Sequence, residues 1–144
     1  MIQRDELCSL IPHSGGMCLL DKVLHWDPTI IQCSSETHLL SQNPLCIHHQ
    51  LAAVHAIEYG AQAMAVHGGL LARKHGTHPV KGFVAALKDV NLYADYLHDK
   101  PDPLQINAKA LLLNSDAMIY RFRITSGGIS IADGQITVMS AAGG

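Results

Sequence analysis

Charge is what this sequence has least of. Asp, Glu, Lys and Arg make up only 15% of its 144 residues, against 48% hydrophobic residues. A solvated monomer surface normally carries more, so a substantial dimer interface is expected. Ten Lys/Arg against twelve Asp/Glu leave a formal charge of −2, and no basic cluster supplies a phosphate-binding stripe. That excludes the ordinary nucleic-acid binder. CxxC spacing is lacking too: Cys8, Cys18, Cys33 and Cys46 stand apart, which predicts reduced, partly buried thiols in an intracellular protein. The opening residues do not read as a secretory leader, and no apolar run reaches membrane-spanning length without polar interruption. A cytoplasmic protein without membrane insertion is the expectation. Gly68–Gly69 neither follows a strand nor opens a helix, so it is no phosphate cradle.

What is present is a single domain over residues 1–144, long enough for a real core. Its organising stretch is Leu51 to Leu71, the longest segment readable as helix, with one acidic residue, Glu58, near its middle. Leu51, Val54, His55, Glu58, Gln62, Ala65 and Val66 recur at spacings of three and four and share a broad face. Alanines and glycines around them let a sheet approach closely. A helix so poor in surface charge is expected to be wrapped by other elements. An acid inside it is costly to bury without a partner or a role.

Around this helix the chain reads as follows. Ile2 to Ile11 predicts a short amphipathic helix, with Leu7, Leu10 and Ile11 on its apolar side. Pro12 ends it and opens the turn signal PHSGG, which puts His13 in a loop. Met17 to Trp26 predicts a strand, with Ile30 to Glu36 as hairpin partner across Asp27 and Pro28. Residues 38–50 read as irregular. The helix loses coherence after Leu71, at RKHGTHP. Four strands are then expected, at Phe83–Leu92, Leu104–Leu113, Ala117–Thr125 and Ile129–Met139. Alternation in Tyr120–Arg121–Phe122–Arg123–Ile124 gives one buried and one exposed face. The continuously apolar Ala110 to Leu113 suggests cover on both sides, as a partner subunit would give. No crossover helix separates the later strands, so the fold class is α+β with a mostly antiparallel sheet curled around the helix. Met64, Met118 and Met139 read as core residues.

His13 and Glu58 together make either a general acid/base pair or a satisfied structural histidine and an interface glutamate. Histidine titrates near neutrality, and a glutamic acid in an apolar site can donate a proton to a departing oxygen. Gln62, one turn on, either orients the Glu58 carboxyl or makes a helix–sheet contact. The amides around Leu51, Ala52 and Ala53 would be unsatisfied at a true helix start and able to stabilise an enolate or thioester oxygen. The ten histidines are scattered. Neither His48–His49 with His55 nor His75 with His78 has the acid or cysteine set of a metal site, and no metal is expected. Cys46 beside His48 and His49 lacks the positioned third group of a nucleophilic site.

IPHSGGMCLLDKVLHWD, with Pro12, His13 and Asp21, resembles the opening of the hotdog-fold beta-hydroxyacyl-acyl carrier protein dehydratases. AIEYGAQAMAVHGG is similar to that family's helix, with Glu58 in the position of its catalytic acid and Gln62 downstream. The likeness looks closest to the dehydratase-like proteins of aryl polyene lipid pathways. The resemblance implies a hotdog fold, a long central helix wrapped by a curved sheet. It implies that His13 removes the alpha proton of a 3-hydroxyacyl thioester while Glu58 protonates the beta hydroxyl. Main-chain donors around Ala53 would hold the thioester carbonyl. An acyl carrier protein would be the partner, and the histidine and acid of one site would come from two subunits. No metal or redox cofactor is implied.

The chain departs from the family pattern in two places. Gly15, Gly16 and Met17 follow the histidine where a Tyr-Pro-Phe-like run is usual, and Ala52–Ala53 replaces a Pro-Gly near the helix start. Two alternatives therefore stand beside dehydration. One is a noncatalytic subunit stabilising a related dehydratase in a heterodimer. The other is a hotdog thioesterase using Glu58 with little need of His13.

Overall fold

The computed structural model describes residues 1–11, 17–78 and 82–141. One antiparallel sheet of seven strands curves around one long helix, the hotdog arrangement. The strands are β1 (Ile2–Gln3), β2 (Lys22–Trp26), β3 (Ile30–Ser35), β4 (Gly82–Leu92), β5 (Leu104–Leu113), β6 (Ala117–Ser126) and β7 (Ile129–Ser140), lying in the order β1-β2-β3-β5-β6-β7-β4. The helices are α1 (Arg4–Ser9) and α2 (Ala56–Lys74), and a 3-10 turn at Ala53–His55 leads directly into α2.

Local chemistry sets the hairpins. Asp27 Oδ1 accepts the amides of Thr29 (2.8 Å) and Ile30 (2.9 Å), closing the β2–β3 turn with a side chain. Gly127 and Gly128 both have positive φ (57° and 80°), as the two-residue β6–β7 turn demands. The β5–β6 turn is held by Asn114 Oδ1, which accepts the amides of Asp116 and Ala117.

Helix α2 buries the face that carries Tyr59, Ala63, Met64, Val66, His67 and Leu70. Gly60 lets the buried Phe122 ring of β6 lie where a side chain would otherwise stand. The helix runs three residues beyond Leu71, further than its sequence suggests. At its end the Thr77 amide donates to Ala72 O (2.8 Å) and the Gly76 amide to Arg73 O (3.2 Å), with Gly76 left-handed at φ 67°. That pair of bonds is a Schellman stop, with Gly76 as its left-handed residue.

Other boundaries also differ. Ile2–Gln3 pairs with β2 instead of joining the first helix. Residues 17–21 run outside the sheet before β2 begins at Lys22. Their backbone is held by Arg4, whose guanidinium donates to Cys18 O (2.7 Å) and Leu20 O (2.9 Å) and pairs with Asp21 (3.1 Å). Asp21 also accepts the Glu36 amide at 2.7 Å, so this carboxylate is an anchor between segments. Met64 is buried and Met118 packs against the core, whereas Met139 is exposed.

The expectation of four reduced cysteines is corrected. Cys8 and Cys18 form a disulfide joining α1 to the segment before β2, while Cys33 (buried) and Cys46 (half-buried) are free. Sequence separation of ten residues gives no pairing signal of its own; the fold brings the two together. No described helix is long and apolar enough to cross a membrane.

Among the described residues, two apolar stretches of the sheet are exposed in the single chain. Strand β4 lies at the sheet edge and is exposed along nearly all its length, including Phe83, Val84, Leu87 and Leu92. Leu111, Leu112 and Leu113 at the end of β5 are exposed as well.

Candidate functional site

The start of α2 is tied down from an unexpected side. The Ala53 amide donates to Asp95 O (2.9 Å), the Leu97 amide donates to Leu51 O (2.8 Å), and the Leu51 amide donates to His98 Nδ1 (3.0 Å). Residues 95–98 thus pair like a strand with residues 51–53. The Ala53 N–H, expected to be free for a substrate oxygen, is already bonded.

Glu58 sits on the first turn of α2, and its side chain is 46% exposed. An enclosed acid was the expectation; in the single chain the carboxyl instead stands on the uncovered face. Its partner is His55, whose Nδ1 lies 3.0 Å from Glu58 Oε2. The spacing of three residues puts both on one side of the turn. The sequence placed His55 on the face it shares with Glu58 and in a metal cluster, but did not pair the two side chains.

Gln62 does not orient Glu58. Its Oε1 accepts the Leu19 amide (2.8 Å) and its Nε2 donates to Met17 O (2.6 Å). A primary amide bonds both ways, so it grips a backbone segment as another strand would. Gln62 therefore fastens residues 17–19 to α2 one turn beyond Glu58. His13 lies outside the described residues, as does the rest of the PHSGG turn.

Beyond Gln62 a cavity of about 820 Å³ follows the uncovered side of α2. Ala61, Ala65 and Gly68 form its floor, and Phe83, Leu113 and Met118 are among its apolar walls. It begins one turn from Glu58, about 5 Å along the helix axis, and extends past Ala72 to His75 and His78. Small side chains on the helix give it depth without a break in α2.

The other histidines have separate roles. His48 and His49 both adopt left-handed backbone (φ 51° and 63°) in a tight turn closed by two amide bonds between Ile47 and Gln50. They do not join His55 in a ligand set, and among the described residues no group of three His, Cys, Asp or Glu is placed to hold a metal ion. His67 is fully buried on α2, with Nε2 2.7 Å from Asp27 O and Nδ1 bonded to the Tyr120 hydroxyl. Since a carbonyl only accepts, Nε2 carries the proton and Nδ1 accepts from Tyr120. Burial holds the His67 pKa below the ordinary histidine value, and raises that of Tyr120. His38 is likewise lowered by burial; its Nε2 bonds Lys100 O (2.8 Å) and its Nδ1 is buried without a partner among the described residues. These two are neutral structural groups. His55 and Glu58 are brought together on an open face at 3.0 Å, closer than the exposed His25–Asp27 pair at 4.0 Å.

A comparison with curated proteins finds none that matches significantly. Among solved structures, a chain of the dehydratase heterocomplex ApeI:P from Xenorhabdus doucetiae superposes with a TM-score of 0.85 at 18% identity, covering 95% of this chain and 91% of that one. The E. coli PaaI protein of the phenylacetic acid degradation operon gives 0.63 at 11% identity, covering 94% and 90%. A hypothetical thioesterase of Streptococcus pneumoniae bound to coenzyme A gives 0.61 at 11% identity, covering 83% and 84%. At these identities the likeness establishes the hotdog fold. Residues 6–143 match the ApeP-like family, described as ApeP dehydratase, and the chain belongs to that family of hotdog-fold dehydratases.

Proposed function

We propose that this protein removes water from a 3-hydroxyacyl thioester carried on acyl carrier protein, giving the trans-2-enoyl thioester, in a pathway of the aryl polyene type. The observation that carries the proposal is Glu58 standing half-exposed on α2, one turn before Ala61 and Gln62, where an apolar cavity begins, in a chain of a dehydratase family. His13 takes the alpha proton, the C–H electron pair becomes the new double bond, and the beta C–O bond breaks. Glu58 protonates the departing hydroxyl, which leaves as water. Gln62 supports the geometry by holding Met17 and Leu19. His13 is four residues before Met17, within about 14 Å of extended chain.

The thioester carbonyl requires an N–H donor near Ala53. Because the Ala53 amide is bonded to Asp95 O, the reading assigns this role to the next amide of the turn, that of Val54. The acyl chain lies along Ala61, Ala65 and Gly68. No metal or redox cofactor takes part.

Assembly is part of the proposal. Strand β4 offers eleven residues of unpaired edge with exposed apolar side chains, a surface that invites pairing with a second sheet. The partner is a second copy or, as in the ApeI:P heterocomplex, a related dehydratase. Covering the edge would also bring a second subunit beside the half-exposed Glu58. The bonded state of Ala53 favours one alternative, that the chain stabilises a catalytic partner without turning over itself.

Mass spectrometry of a 3-hydroxyacyl carrier protein separates the cases. Loss of one water with the chain retained supports dehydration, and release of a free acid supports hydrolysis instead. Glu58→Gln and His13→Ala should each slow dehydration by roughly 10²–10⁴-fold while leaving assembly intact. Undiminished turnover in both variants, alone and with the related subunit, would refute the assigned chemistry.

A further inference from the structure

We infer that His55 is a positioning residue for Glu58, fixing which carboxyl oxygen delivers the proton; this rests on the catalytic reading of Glu58 given above. The bond between His55 Nδ1 and Glu58 Oε2 spans 3.0 Å and joins the last residue of the 3-10 turn to the first turn of α2. Both side chains belong to one helical turn, so the contact is set by local backbone and does not wait for a distant segment.

The bond has a chemical consequence. One proton lies between Nδ1 and Oε2. When Nδ1–H is the donor, Oε2 is an acceptor and the acidic proton of Glu58 must reside on Oε1. The oxygen that faces a hydroxyl is then chosen before substrate arrives. As that proton leaves, the carboxyl becomes a carboxylate, and the neutral N–H···O bond becomes a charge-assisted one, about twice as strong. Such a bond is tighter once the proton has moved than before, which is the condition for accelerating the step. The imidazole is 26% exposed, and its Nε2 has no hydrogen-bond partner among the described residues.

The test uses the assembled protein, alone or with its related subunit, whichever dehydrates. His55→Ala should lower kcat by roughly 10- to 100-fold with KM and the thermal unfolding midpoint unchanged. His55→Asn, whose amide N–H stands close to the place of Nδ1–H, should restore most of the loss. Wild-type kcat in His55→Ala overturns the inference. So does a His55→Asn variant as slow as His55→Ala, since the ring would then act by its own chemistry. A loss of kcat matched by a fall in unfolding temperature reduces His55 to a structural contact. Glu58→Gln, run in parallel, distinguishes the two levels: if it retains activity the Glu58 reading fails, whereas an inactive Glu58→Gln beside an active His55→Ala removes only the inference about His55.

Discussion

The same substitution at two glycines of α2 should change stability in opposite directions. A Cβ on Gly60 would lie 2.8 Å from Phe122 Cγ and 3.0 Å from its Cδ2. Phe122 is buried in the core, so the ring must displace its neighbours to make room. At Gly68 a Cβ would meet only Met118 Sδ, at an ordinary 3.8 Å. Replacing a mid-helix glycine by alanine gains about 1 kcal/mol from backbone entropy. At Gly68 nothing opposes that gain. At Gly60 overpacking costs about 1–3 kcal/mol, so the net effect is a loss of up to about 2 kcal/mol. For a chain of this size 1 kcal/mol moves the melting temperature by about 2–4 °C. Urea unfolding of Gly60→Ala and Gly68→Ala should therefore show midpoints displaced to either side of wild type with unchanged m. If Gly60→Ala proves as stable as Gly68→Ala, the close approach of Phe122 to the helix is wrong.

Two further predictions rest on buried groups. His67 and His38 have pKa values lowered by burial, so the unfolded chain binds more protons than the native one below about pH 6.5. Their contribution to stability is fully present above that pH and is lost as the pH falls through the window between the unfolded and folded values. The slope is up to about 1.4 kcal/mol per pH unit for each histidine, and a urea midpoint that stays flat or rises from pH 7 to pH 5.5 would count against both assignments. Among the cysteines, iodoacetamide should label only Cys46 in native protein, since burial pushes the Cys33 thiol up to about 12. Denaturation without reductant should add Cys33 alone, and reduction of the Cys8–Cys18 bond should add the remaining two and cost roughly 2–3 kcal/mol of stability. Four labels without reductant would exclude the disulfide.

Much of the architecture was legible because it is local. The bounds expected for β5, β6 and β7 hold to within a residue, and alternation marked β6 because one buried and one exposed face impose a period of two. Gly127–Gly128 marked their turn because few residues tolerate positive φ at both central positions. The small, weakly charged character of residues 51–71 announced a helix meant to be wrapped. Its true end escaped notice because the Schellman bonds depend on how Thr77 folds back over Ala72, not on composition.

The site divides in the same way. Sequence alone determined that Glu58 stands on α2 and that His55, three residues before it, shares its face, because helical spacing fixes both. Only the tertiary structure decided that Gln62 grips Met17 and Leu19 instead of Glu58, that the Ala53 amide is bonded to Asp95, and that Cys8 meets Cys18. Each of those contacts joins residues ten or more positions apart. Their side chains have several partners of equal local merit, and only the packed chain selects among them.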